Sequence, residues 1–116
     1  MNASHFATSW LEAWNAHNIE EIMAHYSDNI VFYSPLIKVI NNDPTGKITG
    51  KAGLRAYFEK GLAAYPDLHF EFYHELTGVD SVVLYYKSVN NRLSAELMVL
   101  NEEGKVIEVR AHYKPQ

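Results

Sequence analysis

Glu96 is the side chain in this sequence whose type and setting best suit chemistry. It lies in residues 92–100, where the alternation of apolar residues predicts a β-strand. Side chains two residues apart share a strand face, so Glu96 should stand beside Met98 and Leu100 on an apolar face. Burial there would disfavour the charged carboxylate and raise its pKa towards values that suit a general acid or base. The alternative is a structural carboxylate bound to Trp10, a tyrosine or a backbone N–H.

A few hydroxyl groups could assist such a carboxyl group. Tyr26 and Tyr33 are candidate donors to a negative charge that develops on a substrate oxygen, and we take Tyr26 as the second candidate catalytic residue. Ser34 would be a nucleophile only with a base beside it, and no Gly-x-Ser-x-Gly motif surrounds it.

A metal site or another cofactor site is not expected. His69, Glu71, His74 and Glu75 are close in sequence, but strand alternation puts His74 on the face opposite the other three. The remaining row is too extended to converge on one ion. The chain also has no cysteine, which excludes disulfides, thiolate metal sites and cysteine nucleophiles.

Composition narrows the classes of partner. The formal charge of −4 comes from 14 acidic and 10 scattered basic residues, so nucleic acid is not an expected partner. No run of about 18 apolar residues and no secretory pattern occurs, so we expect no membrane association and a cytoplasmic location. A content of 13% aromatic residues favours a lined cavity or an aromatic interface, and an ordinary aromatic core is the alternative. We expect one domain over residues 1–116.

Three helices are predicted, each from apolar residues at helical spacing. Asn18 should cap the second helix, and Pro66 should end the third, which starts near Lys51. The predicted buried residues are, helix by helix, Phe6, Trp10, Ala13 and Trp14; Ile19, Ile22, Met23 and Tyr26; and Leu54, Tyr57, Phe58, Leu62 and Tyr65.

Five strands complete the predicted order ααβαββββ. The first, residues 30–33, should end at Pro35 and lie at a sheet edge, and residues 35–50 should form a loop that covers a site. Four strands follow from Leu68 onwards, with a two-residue hairpin turn predicted at Asn90-Asn91 and a three- or four-residue hairpin loop closed by Gly104. Early helices followed by an antiparallel meander predict an α+β domain.

The outer face of the last strands is also partly apolar, and such a face is usually covered. We therefore predict a homodimer through this face. The residues expected in its interface are Leu97, Val99, Glu108, Arg110 and His112.

A series of segments that spans nearly the whole chain resembles the pattern of a known family. The segments include WNAHN at 14–18, YSDNIVF at 26–32, GKAGLRAYF at 50–58, YPDL at 65–68 and AHY at 111–113. Their order resembles the SnoaL-like branch of the nuclear-transport-factor-2-like superfamily. The resemblance implies a cone-shaped α+β barrel, in which three helices pack on a strongly bent, mixed and mainly antiparallel sheet around a pocket.

The same superfamily includes ketosteroid isomerases, polyketide cyclases and epoxide hydrolases, and many binding domains without chemistry. The ketosteroid isomerase pattern implies a general base at the position of Ser34, a tyrosine donor at that of Trp10 and a protonated acid at that of Glu96. Of these three residue types, this sequence has only the acid, at Glu96. A cyclase pattern would place an acid near Ala111–Tyr113, where the chain has none, and nothing in the spacing assembles an epoxide hydrolase site.

These observations lead to two hypotheses about function. The first is a protein that binds a small, largely apolar ligand, with proton transfer by Glu96 in an isomerisation, cyclisation or dehydration that uses no cofactor. The second is a non-catalytic dimeric accessory domain whose pocket is filled by its own side chains. The predicted ligand contacts are Trp10, Trp14, Phe32, Ser34, Tyr57, Phe58, Met98, Val109, Ala111 and Tyr113.

Overall fold

The computed structural model describes residues 2–115 as a bent six-stranded sheet with helices packed on one face. In chain order the elements are α1 (Ala3–Asn15), α2 (Ile19–Met23), β1 (Tyr26–Tyr33), α3 (Pro35–Ile40), β2 (Lys47–Thr49), α4 (Lys51–Ala64), β3 (Glu71–Gly78), β4 (Ser81–Lys87), a single 3₁₀ turn (Val89–Asn91), β5 (Leu93–Leu100) and β6 (Val106–Tyr113).

The first two helices begin at asparagine caps. The Asn2 side chain accepts a hydrogen bond from the His5 amide at 3.0 Å, and the Asn18 side chain accepts one from the Glu21 amide at 3.1 Å. Each bond satisfies an amide that has no partner within its helix. The predicted cap at Asn18 is confirmed, and the predicted stripe of α1 is buried at Phe6, Trp10, Ala13 and Trp14.

Residues 35–50 were predicted as a loop, and that prediction is wrong in part. They contain the short helix α3 and the three-residue strand β2. Ser34 caps α3 by accepting a hydrogen bond from the Leu36 amide at 3.2 Å, and Pro35 occupies the first helical turn. Proline ends a strand and also starts a helix well, because its fixed φ suits the first helical position. A helix this short has too few turns to produce a recognisable period.

The prediction for the first strand also needs correction. β1 begins at Tyr26, which was predicted as part of the second helix, and β1 does not lie at a sheet edge. It pairs antiparallel with β2 and parallel with β6, with Phe32 opposite both Ile48 and Val109. The partner β6 is about 80 residues away in sequence, so local pattern contains no signal for this pairing.

The strand order is β2-β1-β6-β5-β4-β3, and all pairs except β1 with β6 are antiparallel. The residues predicted at the turns between the last three strands adopt positive φ, but the turn between β4 and β5 is longer than the predicted two residues, since Lys87 pairs with Leu93. Asn90 and Asn91 adopt φ of 59° and 58°, and Gly104 adopts φ of 76°. The α+β class and the mainly antiparallel sheet are confirmed.

The core lies between the helices and the inner face of this sheet. Along β5, buried Ser94, Glu96, Met98 and Leu100 alternate with half-buried residues on the outer face. Antiparallel pairing places Glu96 between Leu84 of β4 and Ala111 of β6. The fold therefore brings the carboxyl group to the middle of the sheet, on the side that faces α1 and α4.

Among residues 2–115, no helix combines the length and the apolar character that crossing a lipid bilayer requires.

Candidate ligand-binding site

A cavity of about 90 Å³ lies between the inner face of the sheet and helices α1, α3 and α4. Aromatic rings make most of its wall, and Glu96 lies within it. Ile40 and Tyr65, which are 46% and 37% exposed, stand at the side that meets solvent. The lining residues are Trp10, Trp14, Tyr26, Phe32, Leu36, Ile40, Tyr57, Phe58, Gly61, Tyr65, Leu68, Phe70, Tyr86, Ser88, Val89, Glu96 and Tyr113.

Glu96 is the polar centre of this site. It is only 5% exposed, and its Oε1 accepts a hydrogen bond from the Tyr86 hydroxyl. The second oxygen, Oε2, makes no hydrogen bond to any residue between 2 and 115. Burial raises the pKa of Glu96 to about 7, and the hydrogen bond from Tyr86, which favours the charged form, opposes part of that rise. The carboxyl group thus exchanges its proton near neutral pH.

Four tyrosines from four different elements surround this carboxyl group. Tyr26 lies on β1, Tyr57 on α4, Tyr86 on β4 and Tyr113 on β6. Burial raises the pKa of each phenol, to about 12 for Tyr57, and the negative charge of Glu96 adds to the rise in every case. The four hydroxyls therefore remain neutral hydrogen-bond donors at physiological pH.

The two tryptophans contact this group from α1. Trp10 Nε1 donates to the Tyr26 hydroxyl oxygen at 3.2 Å, and the Trp10 ring stacks on Phe70 with centroids 5.7 Å apart. Both indoles favour the phenolate form of Tyr26. Trp14 Nε1 nevertheless has no hydrogen-bonding geometry with any described residue. Accepting from Trp10 leaves the Tyr26 hydroxyl with its own proton to donate, and polarises that O–H bond.

Most residues that the sequence singled out meet at this cavity. Both candidate catalytic residues, Glu96 and Tyr26, lie in its wall. The predicted ligand contacts that also line it are Trp10, Trp14, Phe32, Tyr57, Phe58 and Tyr113.

The other four predicted contacts do not line the cavity. Met98 and Val109 are fully buried in the core, and Ala111 and Ser34 border a separate surface groove beside α3. Strand alternation places Met98 on the same sheet face as Glu96, but the cavity covers only part of that face and does not reach Met98. Ser34 instead caps α3. Among residues 2–115, no acid or histidine side chain makes a hydrogen bond to its hydroxyl.

Tyr86 is the functional residue that sequence reasoning missed. The structure pairs Tyr86 with Ser94, so Tyr86 is a diagonal neighbour of Glu96 on the inner face. The predicted two-residue turn at Asn90-Asn91 would instead pair Tyr86 with Ala95, so the turn prediction did not provide this register. Phe70 and Leu68 were predicted as strand residues and precede β3. The remaining unpredicted lining residues are Leu36, Ile40, Gly61, Tyr65, Ser88 and Val89.

The residues available restrict the chemistry of the cavity. Within residues 2–115, no group of three or more His, Cys, Asp or Glu side chains is arranged to hold a metal ion. Among the described residues that line the cavity, none is a lysine, an arginine or a histidine. What the site does offer is a carboxyl group with one oxygen that is not hydrogen-bonded, an adjacent phenol donor and a largely apolar wall. This arrangement suits proton transfer to or from an apolar ligand without bulk water.

Comparison with known proteins places this architecture in a family. The family model for the SnoaL-like domain matches residues 7–113. A SnoaL-like protein of unknown function from Burkholderia thailandensis is 38% identical, with 97% of this chain and 94% of that chain covered and a TM-score of 0.94. No curated protein matches the chain.

Two more distant solved structures share the fold alone. A provisionally assigned ketosteroid isomerase from Kribbella flavida is 16% identical, with a TM-score of 0.75 over 97% of this chain and 77% of that chain. The epoxide hydrolase/cyclase-like enzyme SalBIII, which acts in pyran ring formation in the polyether salinomycin, is 18% identical, with a TM-score of 0.76 over 97% of this chain and 90% of that chain. The match of the family model over most of the chain, together with the fold, shows that the protein belongs to the SnoaL-like domain family.

Proposed function

We propose that this protein binds a small, largely apolar molecule in the aromatic cavity and transfers a proton within it through Glu96. The observation that carries the proposal is the carboxyl group itself: it is buried, it has an oxygen without a hydrogen bond, and its pKa is raised by burial to about 7. A hydrogen bond to Tyr86 alone does not require a cavity next to the carboxyl group.

In the proposed reaction Glu96 Oε2 removes or delivers the proton, and a tyrosine hydroxyl stabilises negative charge on a ligand oxygen. Tyr26 suits the second role because its oxygen already accepts from Trp10, which polarises the remaining O–H bond. Ionised Glu96 acts as a base above about pH 7, and the neutral acid donates below it. Isomerisation, cyclisation and dehydration all need such a step, and no cofactor is part of the proposal.

Occupancy of the cavity can be tested with a substitution that fills it. Gly61 lies in α4, lines the cavity, and an added Cβ there meets no heavy atom within 4 Å. We expect Gly61→Leu to fold and to lose binding of small apolar probes such as isobutanol, together with any molecule that copurifies in native mass spectrometry. Ala63→Leu, which adds a similar side chain to the exposed face of the same helix, should bind as the unmodified protein does.

The substrate test follows from the same site. For any molecule whose turnover is found in a screen, we expect Glu96→Gln to abolish turnover while the folded state is retained, since glutamine still accepts the hydrogen bond from Tyr86. Full activity in that variant would rule out the proposed proton transfer. Equal probe binding by Gly61→Leu and the unmodified protein would rule out the cavity as the site.

A second candidate function is favoured by the small size of the cavity and by the hydrogen bond that Tyr86 gives Glu96. Under it the chain is a non-catalytic accessory domain that acts through its dimer contacts. The proposed interface is the outer sheet face, where Leu97 and Val99 are half-buried and Arg110 pairs with Glu108 at 3.3 Å. His112 would add a polar contact at its margin. Probe binding in the Gly61 experiment separates the two candidates.

A further inference from the structure

The cavity contains a potential negative charge without a matching positive one. Among the described residues that line it, Glu96 is the one with a carboxyl side chain, and none is Lys, Arg or His. Its neighbour Tyr86 is a neutral phenol, and Oε2 has no partner among residues 2–115. Ionised carboxylates in protein interiors are normally paired with a cation or a metal ion. When Glu96 is ionised, a positive charge from outside residues 2–115 would complete this site.

The wall around Glu96 is itself suited to a cation. Aromatic faces carry partial negative charge and attract ammonium groups, most strongly at tryptophan, and the attraction is larger when water is excluded. Tyr86 donates a hydrogen bond to Glu96, and the Trp10 ring packs edge-on against Tyr86 with centroids 5.2 Å apart. Trp10 also donates to Tyr26, whose pKa is raised by the charge of Glu96. Phe58 and Phe70 extend the aromatic wall on either side. An anion would meet Glu96 and no positive group.

Building on the proposed role of the cavity in ligand binding, we propose that its ligand is a small organic cation: a protonated amine whose nitrogen binds Glu96 Oε2 and whose short apolar body packs against the aromatic rings.

The volume of the cavity limits the size of this amine. A space of about 90 Å³ corresponds to about three water molecules, at about 30 Å³ each in the liquid. It is smaller than the engineered cavity of about 150 Å³ that accommodates benzene in another protein. An amine with a branched chain of four carbon atoms is therefore a suitable probe. Isobutylamine, isobutanol and isobutyrate share this body and differ in charge.

The proposal also predicts how affinity depends on pH. The titratable groups that face Glu96 are Tyr86 on β4, Tyr113 on β6, Tyr26 on β1 and Tyr57 on α4, and all four have a raised pKa. The residues lining the cavity from α1 and α3 carry no titratable side chain. Because an ammonium group binds the ionised carboxylate, binding below the pKa of Glu96, about 7, releases a proton. Affinity should rise about tenfold for each pH unit up to that value and then level off.

The experiment is an NMR titration of the full chain with the three probes at pH 8, repeated at pH 5 and 6 for the amine. Trp10 and Trp14 are the two tryptophans of the chain, and both line the cavity, so their indole N–H signals report binding there. We expect isobutylamine to bind at least about tenfold more tightly than isobutanol, since hydrogen bonds to charged groups are the stronger ones. Isobutyrate should not bind. Glu96→Gln should reduce the affinity for isobutylamine to that for isobutanol.

The possible outcomes separate this inference from the proposed function. If isobutanol or isobutyrate binds as tightly as isobutylamine, or if the affinity for the amine does not change between pH 5 and 8, the cationic ligand is ruled out and the ligand-binding cavity stands. If no probe shifts the indole signals at any pH, both proposals fail. Gly61→Leu should abolish every shift, and signals that persist in that variant would place the amine elsewhere and overturn the inference.

Discussion

Glu96 holds its proton in the folded protein over a pH range in which a solvated glutamate has lost it. Burial raises its pKa from the ordinary value of 4.5 to about 7, so the folded state binds a proton that the unfolded state releases. For a carboxyl group shifted in this direction, the stabilising effect is complete below about pH 4.5 and is lost as the pH rises to about 7. The difference of about 2.5 pH units corresponds to about 3 kcal/mol.

Glu96→Gln tests this linkage, because glutamine is always neutral and still accepts from Tyr86. In urea denaturation we expect the variant to gain up to about 3 kcal/mol over the unmodified protein between pH 5 and pH 8. Glu102→Gln, in the exposed turn between β5 and β6, should leave the pH profile of stability unchanged. A parallel profile for Glu96→Gln and the unmodified protein would show that Glu96 has no raised pKa.

Tyr86 lowers the pKa of Glu96, which burial raises. Its hydroxyl donates to Glu96 Oε1, which stabilises the carboxylate and lowers its pKa. We expect Tyr86→Phe to raise the midpoint of the Glu96 titration above 7, measured by NMR at the side-chain carboxyl carbon. Tyr85→Phe, one position along β4 and on the outer face, is the matched control. An unchanged midpoint in Tyr86→Phe would mean that this hydrogen bond does not influence the ionisation.

At the scale of elements, α3 closes the cavity on the side nearest solvent, and Ser34 decides where α3 begins. Leu36 and Ile40 of this helix line the cavity, and the Ser34 hydroxyl accepts from the Leu36 amide at 3.2 Å. Six residues are too few for a helix to be stable by itself, so the cap and the packing of Ile37 must hold it in place.

We expect Ser34→Ala to lower the free energy of unfolding by about 1 kcal/mol, the usual effect of losing a capping side chain. Ser88→Ala is the control, because Ser88 precedes the 3₁₀ turn and its side chain makes no capping hydrogen bond. Its effect should remain within about 0.5 kcal/mol. Urea denaturation measures the free energy of unfolding of both variants. Equal losses in the two variants would contradict the capping role of Ser34.

The whole molecule presents a sheet face that its own helices do not cover. Leu97 is half-buried at the centre of that face, between Val83 of β4 and Arg110 of β6. If the face is a dimer interface, a charge there is desolvated on association and prevents it. We expect Leu97→Glu to convert a dimer to a monomer in sedimentation equilibrium. Val79→Glu, 92% exposed in the turn between β3 and β4, should leave the mass unchanged. A monomeric unmodified protein would rule out the dimer.

Local sequence predicts α1, α2, α4 and the last four strands, because α1, α4 and these strands are long enough to show their period and α2 is marked by its cap. The buried stripe of α1 follows from Phe6 and Trp10, and the cap of α2 follows from Asn18. The positive φ of Asn90, Asn91 and Gly104 follows from residue types that tolerate this conformation. These features depend on neighbours within a few residues, and so they can be predicted from the sequence.

How these elements meet depends on contacts between distant parts of the chain. Contacts between residues distant in sequence are needed for the parallel pairing of β1 with β6 and for the placement of the short elements α3 and β2. The hydrogen bond from Tyr86 to Glu96 likewise joins residues on two different strands. The alternation of residues along β5 is enough to predict that the carboxyl group of Glu96 lies on an apolar strand face. Whether a cavity adjoined that carboxyl group, and which hydroxyls faced it, depended on the curvature of the sheet and on helix packing, which arise from the whole chain.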